Sequence, residues 1–354
     1  MKAIKFFAIS AMAAAMITSC SNEDELSQSN YPSDNIIRIT AGVNNAKTRA
    51  EGAGVTQLEN PLSLTVVNNN NNTVLAAKYT YVNKKFSKDE NGVWKCSETL
   101  LWQNDETSVD IVAFAPAQEG KFDGVCDNDG KIQPITYSIA TNQSTKSDYN
   151  DLLYNYTPGF VPGGTNLDKE GKLSIQMNHA FCMIDINVTL GTEFNKPNVL
   201  DDSPITEVIL EGTKIEANVD VKNAATGSTE GSTEGTTEGS TTTTTASVVT
   251  ASGEAAKIIT TKGSFDKAAN AEANAISHFS CIAIPQTVAA NTFKVSLKTA
   301  DKLYEWTSAE QVVLQSGYRY TLELSMGNNV VLLKGEKITA SPWTEGTGGT
   351  LETD

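Results

Sequence analysis

Apolar and polar residues alternate with a period of two along most of this chain, from Ile36 to Met326. Such alternation puts every second side chain on one face, which is typical of half-buried β-strands. The clearest runs are Ile37, Ile39 and Ala41; Leu62, Leu64 and Val66; Val109 to Ala115; Leu173, Ile175 and Met177; Cys182 to Leu190; Ile215 to Val221; Phe293, Val295 and Leu297; and Tyr318 to Met326. The pattern predicts a mainly β protein made of short strands.

Several breaks refine this prediction. Asn68 to Asn72 indicate a loop, because asparagine tolerates left-handed backbone, and Val74 to Ala77 are predicted to resume a strand. The alternation shifts by one residue at His179 and Ala180, which predicts a bulge or bend. Helical periodicity is weak, and Asp266 to Ile276 is the only modest helix candidate.

The spacing of glycine and proline suggests two domains. Residues 159–171 contain Pro162, Gly163 and Gly164 and are predicted to connect an N-terminal domain, residues 36–171, to a C-terminal domain, residues 172–354. Residues 226–246 repeat Thr-Glu-Gly and contain no large apolar side chain. We expect a surface loop there, with a glycosylated or adhesive loop as the alternative.

Residues 1–20 have the features of a secretory signal peptide. Lys2 and Lys5 precede a short apolar run, which is too short for a transmembrane helix. Thr18-Ser19-Cys20 resembles the end of a bacterial lipobox, which predicts lipid attachment at Cys20. Residues 21–35 are polar and are predicted to form a flexible tether. The acidic residues that follow Cys20 resemble the surface-export signal of some Gram-negative lipoproteins.

Charge narrows the choice of partners. The formal net charge is −15, and removal of the signal peptide with its two lysines makes the chain more acidic still. Nucleic acid binding depends on lysine and arginine contacts to phosphate, so we predict no nucleic acid partner. The lipid on Cys20 is the one predicted link to a membrane.

Four cysteines remain after Cys20, and they leave two interpretations open. Cys96, Cys126, Cys182 and Cys281 permit three disulfide pairings in an exported chain. Cys182 and Cys281 lie in apolar runs, where buried free thiols are the alternative. None has the C-x-x-C spacing of a zinc site.

Motifs for catalysis and for cofactor binding do not occur in the sequence. It contains no G-x-S-x-G, H-E-x-x-H or P-loop motif. His179 lies among apolar strand residues, and we interpret it as a structural histidine rather than a general base. Asp123, Asp127 and Asp129 lack EF-hand spacing and indicate a solvated turn. The four tryptophans are scattered and are expected to pack in the core. We predict a protein that is not an enzyme and that binds no cofactor or metal.

Several segments, in this order, resemble the fimbrillin family, whose members are subunits and anchors of Gram-negative surface pili. The segments are Ile37 to Val43 with Lys47 to Ala50; Leu101-Trp102 with Val109 to Pro116; Asp151 to Tyr154; Met177 to Phe181 with Ile184 to Leu190; Gly317 to Leu322; and Ile338 to Gly346. The resemblance implies two transthyretin-like β-sandwich domains.

The resemblance also implies an assembly mechanism. In polymerising members, an extracellular Arg-specific protease removes the lipid and the first strand, and a strand of a neighbouring subunit fills the groove. Carried over to this sequence, the cut falls between Arg49 and Ala50. The donor strand would come from Val330 to Leu333 or Ile338 to Trp343. Arg49 as an ordinary loop arginine is the alternative.

Two functions follow from this resemblance. The first is a structural subunit, stalk or tip, of a pilus that contributes to adhesion, with other pilus subunits as partners. Its predicted location is the outer membrane surface and the fimbrium. The alternative is a pilus anchor or a lipid-anchored surface binding protein that never polymerises and keeps Cys20.

Overall fold

The computed structural model describes residues 29–44, 56–226, 247–328, 330–334 and 338–343. Cys20, Arg49 and Ala50 lie outside these residues, as do the signal peptide and residues 227–246 of the Thr/Glu/Gly segment.

Strands make up most of the described chain. Those of the first half are β1 (Arg38–Val43), β2 (Thr56–Gln57), β3 (Leu62–Asn68), β4 (Tyr81–Lys88), β5 (Trp94–Cys96), β6 (Val109–Ala115), β7 (Ile135–Ser138), β8 (Leu153–Phe160) and β9 (Lys172–His179). Those of the second half are β10 (Cys182–Leu190), β11 (Glu207–Val219), β12 (Val249–Ile259), β13 (Thr261–Asp266), β14 (Ala275–Ala283), β15 (Gln286–Val288), β16 (Lys294–Lys298), β17 (Leu303–Thr307), β18 (Val312–Leu314), β19 (Tyr318–Met326), β20 (Val331–Leu333) and β21 (Thr339–Pro342). Two short α-helices are described, α1 (Thr73–Lys78) and α2 (Asn223–Thr226). Single 3-10 turns lie at Asp123–Val125, Asp148–Asn150 and Thr192–Asn195. The mainly β prediction is confirmed.

The first sheet has the strand order β2-β1-β9-β8-β6-β3-β4-β5. All seven residues of β3 are buried, because both faces of this sheet are covered. The side chains of Leu64 and Ile111 enter one hydrophobic core, whereas those of Val67 and Val112 enter a second core on the opposite face. Continuous apolar runs such as Val109 to Ala115 are typical of strands that are buried on both faces.

The second half of the chain forms two larger sheets and one two-stranded sheet. One sheet has the order β13-β14-β10-β19-β20, with β21 also on β19, and the other has the order β12-β11-β16-β17. β15 pairs with β18. Alternate residues of β10, β14 and β19 are buried and share one core with β11 and β16. β7 crosses from the first half and pairs with β11, so this core is built from both halves of the chain.

Two local predictions were wrong. Val74 to Ala77 lie in helix α1 rather than in a strand, because the Asn72 side chain accepts hydrogen bonds from the Val74 and Leu75 N–H groups and caps the helix. Val74 is 78% exposed, so tertiary packing does not draw this segment into a sheet. The helix predicted from Asp266 to Ile276 is also absent, because these two residues face each other as partners of the antiparallel β13–β14 pair.

The chain passes from the first sheet to the second at the shift in the alternation. β9 ends at His179 and pairs with β1 and β8, whereas β10 begins at Cys182 and pairs with β14 and β19. The first sheet therefore continues beyond residue 171, as far as His179. The transthyretin-like sandwich arrangement is compatible with these sheets and stays a prediction, as do the predicted domain limits.

The last part of the segment predicted as a flexible tether contacts residues 164–167 and the core of the first sheet. The Asn30 N–H donates to the Gly164 carbonyl at 2.8 Å, and the Asn30 side chain donates to the Leu167 carbonyl at 2.9 Å. Tyr31 packs against the core of the first sheet. The flexible-tether prediction is therefore wrong for residues 29–35. Among the described residues, no helix is long and apolar enough to cross a membrane.

Candidate functional site

The slot occupied by β1 is the candidate functional site. β1 runs parallel to β9 in continuous register from the Arg38–Lys172 pair to the Val43–Met177 pair. On its other edge, Gly42 and Val43 pair with β2. Just before the strand, the Ile37 N–H donates to the Leu100 carbonyl at 2.9 Å. β1 is thus paired with β9 along its whole length and is paired on its other edge only at its end.

The side chains of β1, and of Ile37 just before it, complete the core on one face of the first sheet. Ile37, Ile39 and Val43 are 4%, 3% and 2% exposed and pack in one cluster with Leu173 and Ile175 of the neighbouring strand. Burial of each such side chain stabilises the fold by about 1.5–3 kcal/mol. Removal of β1 would therefore expose a hydrophobic groove beside an unpaired edge of β9, and such a groove can accept another strand.

A cleft of about 310 Å³ lies along the middle of β1, between this strand and β5. Ile39, Phe86 and Trp94 provide apolar walls, and Lys95 and Glu98 lie at the same cleft. Within the described ranges, no strand pairs with the outer edge of residues 38–41. The β1 slot is therefore open to solvent along part of one side.

Charged and polar groups fix the chain before β1. The Arg38 guanidinium bonds both carboxylate oxygens of Asp34, at 2.9 and 2.5 Å. Hydrogen bonding to Arg38 lowers the pKa of Asp34 to about 2. Burial raises the pKa of the Tyr31 hydroxyl to about 12. These contacts show that the segment ahead of the strand has one defined position.

Asn44 ends the strand and ties it to the end of β9. Its N–H donates to the Met177 carbonyl at 2.7 Å, and its side-chain amide donates to Asn178 Oδ1 at 3.0 Å. Sequence reasoning missed Asn44, because its partners lie more than one hundred residues away in the chain.

His179, which ends β9, is a buried structural residue. Its Nδ1 lies 3.0 Å from an Asp151 carboxylate oxygen, and its ring stacks on Trp343 with 3.9 Å between centroids. Trp343 is 6% exposed, and its backbone N–H donates to the Gly317 carbonyl at 2.7 Å. The interpretation of His179 as a structural histidine fits this packing. The contact with Trp343 could not be foreseen, because no local pattern connects the two residues.

In the acidic turn that contains Asp123, Asp127 and Asp129, the Asp127 carboxylate accepts hydrogen bonds from nearby residues of the same turn. Asp127 Oδ1 accepts from the backbone N–H groups of Asp129 and Lys131, at 3.0 and 2.8 Å. Asp127 Oδ2 accepts from Gln133 at 2.7 Å. Across the described ranges, no group of three or more His, Cys, Asp or Glu side chains is arranged to hold a metal ion.

The predicted lipidation and cleavage residues are not placed by the structure, but the segments before and after Arg49 are described. Cys20, Arg49 and Ala50 lie outside the described residues. Arg49 belongs to the stretch between Asn44, which ends the β1 segment, and Thr56, which begins β2. This stretch is the covalent link between β1 and everything that follows.

Comparisons with known proteins agree with this architecture. A candidate cell adhesion protein from Bacteroides ovatus has a TM-score of 0.55 at 14% identity, covering 88% of this chain and 99% of that one. A fimbrial protein from Bacteroides vulgatus has a TM-score of 0.51 at 15% identity, covering 87% and 99%. At such identities the likeness shows the fold alone. No curated protein matches the sequence. The model of the fimbrillin-like family matches residues 48–343, most of the chain. The chain therefore belongs to the fimbrillin-like family.

Proposed function

We propose that this protein is a structural subunit of a surface pilus, exported as a lipoprotein on Cys20 and assembled by strand addition after cleavage at Arg49. Family membership supports the general role. The observation that carries the mechanism is β1 itself: a buried strand, inserted in the sheet, whose covalent link to the rest of the fold contains Arg49. A cut in that link leaves β1 held by non-covalent contacts alone.

The distribution of arginines supports Arg49 as the site. The sequence contains three arginines, Arg38, Arg49 and Arg319. Arg38 lies in β1 and pairs with Asp34, whereas Arg319 lies in β19 and pairs with Asp185. A protease must bind its substrate in an extended, accessible form, which a residue paired within a sheet does not offer. An Arg-specific protease is therefore expected to cut the folded chain once.

The C-terminal end supplies the donor strand in this proposal. β20 and β21 lie one after the other along the same edge of β19, and all four residues of β21 are exposed. Leu332 is 58% and Val330 is 50% exposed. These exposed apolar side chains would become buried in the vacated β1 slot of a neighbouring subunit, which gives the exchange a hydrophobic driving force.

The test is limited digestion of the folded protein with an Arg-specific protease. We expect one cut, a new N-terminus at Ala50, and oligomers that survive SDS without heating. The Arg49→Lys variant is the matched control, because it keeps the charge but is not a substrate, and it should stay uncut and monomeric. A wild-type chain that is cut at Arg49 and stays monomeric at high concentration would contradict the proposal.

The contacts of residues 29–37 favour a second candidate, a pilus anchor that keeps its lipid. Asn30 and Tyr31 hold the N-terminal segment in place, as expected if that segment is never released. N-terminal sequencing of the mature surface protein separates the two candidates. An N-terminus at Ala50 supports the polymerising subunit, and a blocked N-terminus at Cys20 supports the anchor.

A further inference from the structure

The first and last strands of the described residues are each followed by a residue that contacts the end of β9. Asn44, at the end of β1, bonds the Met177 carbonyl and the Asn178 side chain. The next residue, His179, carries the stacked ring of Trp343, which follows β21 directly. Residues 177–179 therefore contact both the N-terminal and the C-terminal segment.

The stacking on His179 is one side-chain contact of the C-terminal segment, beside its backbone pairing with β19 and the Trp343 N–H bond to Gly317. The residues of β21 are all exposed and pair with a single neighbouring strand, β19. Trp343 is the buried residue of the described segment 338–343. The stacking of Trp343 depends on the position of the His179 ring. The Asp151 contact and the pairing of β9 with β8 hold this ring. A change in position at the end of β9 would remove the surface that Trp343 covers.

We propose that the end of β9 couples the two strands, so that β1 in its slot keeps the C-terminal segment docked and loss of β1 favours its release. His179 is the positioning residue of this coupling. Coupling between two sites is reciprocal, so release of Trp343 also weakens the retention of β1. In the pilus subunit, cleavage then opens the acceptor groove and frees the donor strand in a single event. That last role rests on the proposed function, whereas the coupling itself does not.

The coupling is tested in the uncleaved chain by hydrogen exchange of residues 339–343. Asn44→Ala removes the side-chain bond to Asn178 and should speed exchange of this segment by about 5- to 150-fold, the range typical of coupled sites. Asn30→Ala is the matched control, because it removes an amide bond from the same N-terminal segment at its far end. It should leave the exchange of residues 339–343 unchanged.

The reverse direction is tested by exchange of residues 38–43 in Trp343→Ala, with Trp306→Ala as the control. Trp306 packs against Phe293, away from β9. We expect faster exchange in β1 for the Trp343 variant alone. Unchanged exchange of residues 339–343 in Asn44→Ala, or equal effects in the variants and their controls, would overturn the coupling. Because no cleavage is involved, this result is independent of whether the chain forms a pilus.

Discussion

The four described cysteines are all free thiols. Cys182 and Cys281 lie on neighbouring strands, but Cys281 faces Ile184 in the β10–β14 register, and Cys182 faces Ala283. The Cys182 thiol donates to the Ala283 carbonyl at 3.2 Å instead. Burial raises the pKa of both thiols, that of Cys281 to about 12. Of the two interpretations that the sequence left open, buried free thiols describe this pair.

Thiol labelling checks this arrangement. The thiolate is the reactive form, so we expect iodoacetamide to modify Cys96 and Cys126 in the native protein and to spare Cys182 and Cys281. Cys126 should react more slowly than an unhindered thiol, because burial and then Asp127 raise its pKa. Peptide mass spectrometry before and after denaturation gives the readout. A disulfide-linked peptide, or rapid native labelling of Cys281, would contradict the prediction.

At the scale of single elements, β1 contributes to stability before any cleavage occurs. Ile39 is 3% exposed in the core of the first domain, whereas the Thr40 side chain lies on the opposite face of the same strand. Successive side chains of a strand point to opposite faces. A substitution at Ile39 therefore changes core packing, whereas one at Thr40 changes the other face, and both leave the backbone hydrogen bonds of β1 in place.

Ile39→Ala is expected to lower the free energy of unfolding by about 2–5 kcal/mol, since it leaves a cavity in the core. Thr40→Ala serves as the control and should cost about 1 kcal/mol or less. Urea unfolding followed by tryptophan fluorescence measures both. Equal losses in the two variants would mean that the face of β1 assigned to the core is incorrect.

At the scale of the whole molecule, Gln143, which lies after β7, forms hydrogen bonds with two strands of the second half of the chain, β14 and β12. Its side chain accepts from the Ile282 N–H at 2.8 Å and donates to the Ile282 carbonyl at 3.0 Å. Its backbone N–H donates to the Ile259 carbonyl at 2.8 Å. Gln143 is 3% exposed, so water does not replace these bonds easily. The Gln143 side chain thus bonds both backbone groups of Ile282 at the edge of β14, as a neighbouring strand would.

Gln143→Ala is expected to lower the free energy of unfolding by about 1–3 kcal/mol, because it leaves the half-buried Ile282 N–H without an acceptor. Gln311→Ala, on an exposed glutamine, is the control and should change the free energy of unfolding by about 0.5 kcal/mol at most. Chemical denaturation measures the difference between the two variants. A Gln143 variant as stable as the control would show that the bonds to Ile282 add nothing to the association of the two halves.

The positions of most strands followed from the sequence, because alternation is a local property that records which face of a strand is buried. Leu173 to Met177 and Cys182 to Leu190 were predicted as strands and are β9 and β10. The β1 segment was also predicted from the sequence, whereas cleavage at Arg49 stays a prediction. The sequence analysis missed helix α1. Its four apolar residues pair with no strand, and the Asn72 side chain caps the helix at its N-terminus.

Only the tertiary structure decided which strands pair and which distant residues meet. Alternation says which side chains are buried but not which strand lies alongside, since backbone hydrogen bonds are the same for every partner. The parallel contact of β1 with β9, the crossing of β7 to β11 and the stacking of Trp343 on His179 all join residues far apart in the chain. The sequence by itself therefore determined a β-rich member of the fimbrillin-like family and the position of its first strand. The fold decided that this strand and the last one are attached to the same end of β9.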